Sequence, residues 1–230
     1  MYAIGMNCTS YAFDVETNTN ELFNEPRQID IFRRQTTKRN QMTELQKHIH
    51  QQLSISPTDC QKVSELFNTE SLQKGDFFLQ SGKYCNKLTF IQEGILRIST
   101  HMQDKEVTQW IATKGYFLTD VHSFLYRYPS RFTMQALADC TLYTIDYEEY
   151  LQLGKLVPKW NEFEKMFIGK CFVMLENRVL DLISLSSEKR YEKLLSQQPE
   201  LFDQVPLQYL ASMLGMTPET FSRIRKKIPA

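Results

Sequence analysis

The stretch from Val205 to Ile228, VPLQYLASMLGMTPETFSRIRKKI, constrains this chain more than any other. Leu207, Leu210, Ala211 and Leu214 recur at helical spacing and so share one face of a short helix. Gly215 then supplies the positive φ that a sharp turn needs. Thr217 is a favourable N-cap, and Pro218 suits the first helical position, where its missing N–H costs nothing. In the second helix Phe221 and Ile224 stand three apart and turn inward, and Ala211 is small where the two helices must approach. Cap, turn and apolar spacing together predict a helix-turn-helix.

Burying Phe221 and Ile224 leaves Glu219, Thr220, Ser222, Arg223, Lys226 and Lys227 on the outer face, beside the cap residue Thr217. An arginine can grip guanine O6 and N7 with two bonds, a glutamate can accept from cytosine N4, and Ser or Thr can reach phosphate. The blander reading is a solvated basic helix end, because cations in a last turn also complement the helix dipole. The cap and turn chemistry favour DNA.

Lys+Arg and Asp+Glu number 27 each, so the formal net charge is zero. No global field draws this chain to nucleic acid or to an anionic membrane; affinity has to come from a local patch. Arg223, Arg225, Lys226 and Lys227 form the densest one. No apolar run approaches the roughly 20 residues of a membrane span. The N-terminus lacks a basic segment followed by an apolar core, so no signal peptide is expected and the cytoplasm is the expected location. The five cysteines (Cys8, Cys60, Cys85, Cys140, Cys171) form no close pair, and the four histidines are dispersed. Neither set has metal-site spacing, and no cofactor is expected.

Residues 1–41 are polar and weakly periodic, which predicts an extension outside the fold. Met42 opens a new pattern and reads as an original start. Leu45, Ile49 and Leu53 make one helical stripe, and Ser56-Pro57 starts a second short helix with Val63, Leu66 and Phe67 inward. From Leu72 to Tyr147 the period becomes two, punctuated by Gly75, Gly82, Gly94 and Gly115 at turns. Short, evenly spaced strands predict an antiparallel jelly roll. From Pro158 to Leu185 the chain reads as one helix of roughly 40 Å. It is apolar on more than one face. A dimer seam over Trp160, Phe163, Phe167, Cys171 and Met174 is the expected use, since a single helix-turn-helix per chain is a half-site reader.

Roll, long helix and helix-turn-helix in this order resemble the cyclic-AMP receptor protein/Fnr family of bacterial transcription regulators. The carriers are KGDFFLQSGKYCNKLTFIQEGILRI and VPLQYLASMLGMTPETFSRIRKKI. The resemblance implies an α+β chain with a double-stranded β-helix (jelly roll), a dimerisation helix and a promoter-reading second helix. Its parts would be an extension 1–41, a sensor roll 42–157, a dimer helix 158–185 and a DNA-binding unit 186–230. It places base contacts on Glu219 and Arg223, with Thr220 and Ser222 nearby. It implies double-stranded DNA, a second copy of the chain and RNA polymerase as partners.

Two features depart from that pattern. Cyclic-nucleotide binders in the family carry a Gly-Glu pair for the ribose and an Arg-Ser pair for the phosphate. Here Leu118-Thr119 stands for the first and Ser130-Arg131 reverses the second, so Thr119, Ser130 and Arg131 are the effector-pocket candidates. Arg131 reads equally as a pocket residue or a surface arginine, because a one-residue shift along a strand reverses the face. Cyclic AMP is therefore not the expected effector. The chain stops at Ala230, so no β-wing is expected after the second helix. A dimeric regulator and a ligand- or protein-binding module with a disused reader both fit. No nucleophile–base pair, metal cluster or phosphate loop suggests an enzyme.

Overall fold

A computed structural model describes residues 43–53 and 55–228. The extension 1–41 and the start at Met42 lie outside the described residues. The chain opens on α1 (Glu44–Leu53) and α2 (Pro57–Ser64). Ser56 caps α2, its hydroxyl accepting from the Asp59 amide at 3.1 Å, and Pro57 fills the first turn. Leu45, Ile49, Val63 and Phe67 are buried, as their spacing predicts.

Eight strands follow: β1 (Asn68–Leu72), β2 (Phe77–Leu79), β3 (Lys87–Glu93), β4 (Leu96–Met102), β5 (Lys105–Ala112), β6 (Phe117–Leu118), β7 (Thr133–Ala136) and β8 (Cys140–Asp146). They form two four-stranded antiparallel sheets, ordered β1-β8-β3-β6 and β2-β7-β4-β5. Leu79, Ile91, Leu96, Ile98, Met134 and Leu142 meet in one cluster drawn from both sheets. The outer face of the first sheet is also covered: Leu88, Phe90 and Ile145 pack with α1, α2 and the start of the long helix. A sheet buried on both faces loses its polar alternation, which is why Leu88, Thr89, Phe90 and Ile91 are buried in succession.

One helix interrupts the stretch that the period-two reading gave to strands, and another begins where that stretch ends. α3 (Val121–Tyr126) sits between β6 and β7, capped by Asp120 and ended by Arg127 in the left-handed region. α4 (Tyr147–Leu156) follows β8, and the Tyr150 hydroxyl ties it to Glu164 of the next helix. Beyond it run α5 (Lys159–Ser184), α6 (Ser187–Gln197), α7 (Leu201–Gln204), α8 (Leu207–Met213) and α9 (Pro218–Lys227).

The β3–β4 turn shows why a glycine is needed there. Gly94 has φ +104°, and an added Cβ would lie 2.5 Å from Cys140 Sγ and 2.6 Å from the Asp139 carbonyl oxygen. Gly82 shares the positive φ but has nothing within 4 Å. Gly94→Ala is expected to cost about 2 kcal/mol or more, and Gly82→Ala only the strain of about 1 kcal/mol. Urea midpoints at unchanged slope measure both, and equal losses would contradict the crowding argument.

Candidate nucleic-acid interface and effector pocket

The helix-turn-helix forms as its local chemistry dictates. Gly215 turns at φ +66°, and Thr217 caps α9 by accepting from the Thr220 amide at 3.3 Å. Phe221 and Ile224 are buried with Leu210 and Ala211 in the reader core. Tyr191 of α6 and Phe202 of α7 pack edge-on and face-on against each other and Phe221. Neither α6 nor α7 was anticipated as a separate support.

Glu219, Ser222, Arg223, Lys226 and Lys227 are exposed on α9, and Thr220 is half-buried. The Glu219 carboxyl sits below its ordinary range, held there by its own backbone N–H and the Thr217 hydroxyl, so it stays an acceptor at neutral pH. Lys227 already has a partner: its Nζ lies 3.2 Å from Glu188 Oε1. Arg225 is half-buried, set apart from the exposed arginine at 223.

The reader is fastened to the roll along β5, the edge strand of its sheet. The Thr108 amide donates to Ser212 Oγ of α8 at 2.9 Å. Arg97 of β4 is buried, with its guanidinium 3.7 Å from the centre of the Tyr209 ring. Its Nε donates to Thr108 Oγ1 at 2.9 Å and its Nη2 lies 3.0 Å from Glu106. A buried cation is tolerable only with such partners. Arg97 carries no sequence signal beyond a charge in an apolar strand, and it was missed.

The long helix corrects the expected seam. Trp160, Phe163 and Cys171 are buried within their own chain. Trp160 and Phe163 belong to the core under the first sheet, and Phe167 stacks on Phe163 and meets Phe117 edge-on. Met174 is half-buried. The physical reason is that the roll's helical cover needs a lid, and this face supplies it. Arg178, one heptad beyond Cys171, lies 5.2 Å over the Trp110 ring and donates to the Met213 carbonyl at 2.8 Å. Burial alone lowers its pKa to about 10, so it remains a cation. Opposite this face runs a second stripe at three-and-four spacing: Met166, Gly169, Val173, Glu176, Leu180 and Ile183. Leu180 is 57% and Ile183 75% exposed, and Phe172 and Val179 flank them in the open.

The three pocket candidates separate. Thr119 is buried and donates to the Lys87 carbonyl at 2.9 Å. Ser130 is buried, donating to the Phe132 carbonyl at 3.1 Å, while its backbone pairs with Gly82 and Lys83. Arg131 is exposed, with its guanidinium toward the Phe132 ring. One residue beyond Thr119 lies a carboxylate outside both expected pairs. Asp120 is buried and accepts from the His122 amide at 3.2 Å as the cap of α3. Among the described residues the only charged ones fully buried are Arg97 and Asp120.

Two packed sheets, a long helix and a C-terminal helix-turn-helix make up the described chain. Residues 69–155 match the family described as cyclic nucleotide-binding domain. Solved structures of similar fold include the c-di-GMP responsive global regulator CLP of Xanthomonas campestris, at 18% identity and TM-score 0.60 over 75% of this chain and 91% of that one. FixK2 of Bradyrhizobium japonicum gives 13% and 0.60, over 70% and 84% of the two chains. A Eubacterium rectale protein described as a transcriptional regulator of the crp/fnr family gives 16% and 0.61, over 79% and 87%. No curated protein sequence matches the chain. The chain has the fold of a Crp/Fnr-type regulator: a cyclic-nucleotide-binding-like roll followed by C-terminal helices. Among the described residues no helix is long and apolar enough to cross a membrane.

Proposed function

We propose that the chain is a cytoplasmic transcription regulator that reads promoter DNA as a homodimer, with RNA polymerase as its downstream partner. Residues 42–157 serve as the sensor, 158–185 as the dimer helix and 186–230 as the reader. One observation carries this reading: α9 seals Phe221 and Ile224 inside while Glu219, Ser222, Arg223 and Lys226 stand free on one outer face. The solved neighbours are described as regulators, which supports it. Selection from a random duplex library tests it. The expected product is a palindrome with half-sites about 10–10.5 base pairs apart, centre to centre, or a multiple of that. Enrichment of no sequence would overturn the reading.

The same reading holds that cyclic AMP is not the effector. Arg131 stands outside, Asp120 is committed as a helix cap, and the Thr119 and Ser130 hydroxyls are spent on backbone carbonyls. Losing one charge-assisted bond costs about 1.5–3 kcal/mol, so losing two weakens binding roughly a hundredfold or more. Calorimetry with cyclic AMP is expected to give no saturable heat at micromolar ligand. A micromolar affinity would show that this pocket works with other partners.

A further inference from the structure

Three tyrosines of the roll stand in the open: Tyr84, Tyr126 and Tyr128 are 54%, 65% and 58% exposed. Tyr84 lies between β2 and β3, Tyr126 ends α3, and Tyr128 follows it before β7. Hydrogen bonds join these segments into one surface. The Gly82 amide donates to the Ser130 carbonyl at 2.7 Å, and the Ser130 amide to the Lys83 carbonyl at 2.8 Å. The Cys85 amide donates to Ser123 Oγ of α3 at 2.7 Å. No residue of this surface belongs to α5 or α9.

Local geometry fixes how the rings stand. His122 stacks on Tyr128, with centroids 4.8 Å apart and planes 9° from parallel, and Tyr126 lies 6.1 Å from the same imidazole. Between the two tyrosines Arg127 takes φ +58°, a region that residues with a Cβ rarely adopt. Its guanidinium turns back onto the roll, 4.6 Å over the Tyr147 ring and 3.0 Å from Asn86 Oδ1. Charge marks the same surface. Residues 77–92 and 121–138 contain no aspartate or glutamate, in a chain that carries 27 of them. Lys83 and Arg131 are exposed there, and neither forms an ion pair among the described residues.

Each exposed ring leaves apolar faces in water, and the unpaired cations beside it call for an anion. A single strand of nucleic acid offers both at once, flat base faces and a regular line of phosphates. A duplex hides its base faces in the stack, and an acidic peptide brings charge without a ring for each tyrosine. We propose that this surface of the roll binds single-stranded nucleic acid. Bases stack on Tyr84, Tyr126 and Tyr128, while Lys83 and Arg131 hold the phosphates. It is a second nucleic-acid site, separate from the outer face of α9, and it does not rest on how α9 is read.

Fluorescence anisotropy of the full chain with a labelled oligoadenylate of about 12 nucleotides, as RNA and as DNA, tests it. Saturable micromolar binding of both strands is expected, since stacking and phosphate pairing do not use the 2′-hydroxyl. Tyr126→Ala and Tyr128→Ala should each weaken strand binding roughly 5- to 150-fold. Tyr128→Phe keeps the ring and should bind as the unaltered chain does, which separates stacking from a loss of folding. Arg131→Gln should reduce the salt dependence by about 0.7 units of slope. Arg223→Ala, on α9, should leave strand binding unchanged, and the tyrosine variants should leave binding to a selected duplex unchanged. Failure of one nucleic-acid site is thus distinguishable from failure of the other. Absence of saturable binding to either strand would overturn the proposal. Equal weakening by Tyr128→Ala and Arg223→Ala would do so too, by placing the strand on α9. Tighter binding of polyglutamate than of oligoadenylate would make the surface a dock for an acidic protein instead.

Discussion

Arg223→Ala is expected to weaken binding to a selected operator roughly 5- to 150-fold, or about 1–3 kcal/mol, and to leave a scrambled duplex nearly unaffected. Arg223 lies one turn beyond Glu219 on the exposed face of α9, opposite the buried Phe221 and Ile224. That position is close enough to the helix N-terminus to enter a major groove and meet a base edge. Lys226, at the far end, is placed for phosphate. Lys226→Ala should weaken every duplex alike and reduce the salt dependence by about one unit of slope. Lys227 should show less, because Glu188 competes for it in the free protein through an exposed pair worth at most about 1 kcal/mol. Titrations against operator and scrambled duplex at several salt concentrations separate the three. An Arg223→Ala protein that lost both duplexes equally would make α9 a backbone clamp.

The double substitution Leu180→Asp, Ile183→Asp is expected to raise the dimer dissociation constant more than a hundredfold. Both side chains stand exposed on the outward stripe of α5, so the change leaves the chain's own core untouched. In a two-fold pairing of parallel helices each would meet its copy, and an unpaired charge buried there costs several kcal/mol. Glu176→Leu should act in the opposite sense. Glu176 occupies the same stripe between Val173 and Leu180, where it would face a second Glu176 across the axis. Removing that like-charge contact and adding apolar surface should tighten the dimer roughly tenfold. Sedimentation at micromolar protein compares both variants with the unaltered chain. A dimer that survived the double substitution would place the interface elsewhere.

The helix-turn-helix was legible in the sequence almost residue by residue. Its determinants are short-range: Thr217 caps an amide three residues on, Gly215 takes a backbone angle other residues avoid, and Phe221 and Ile224 share a face by spacing alone. The turn glycines of the roll were legible for the same reason, and Gly75, Gly82, Gly94 and Gly115 all adopt positive φ. α4 was passed over although Tyr147, Tyr150, Leu153 and Leu156 recur every three residues, because it is short and directly follows a strand.

Long-range partners decided the rest. The sequence by itself determined that α5 is a helix with more than one apolar face. Only the tertiary structure decided that Trp160, Phe163 and Cys171 close the chain's own core, leaving Val173, Leu180 and Ile183 outward. Hydrophobic spacing records that a face is buried but not what buries it. Arg97 is buried because Tyr209 and Glu106, far away or across a hairpin, arrive to accompany its charge. Arg131 is exposed because Ser130 is locked by its backbone to the loop at Gly82 and Lys83, which fixes the residue after it on the outer side. Caps, turns and helical periods are set by neighbours a few residues apart; which of two apolar faces turns inward is set by surfaces that meet only once the chain has folded.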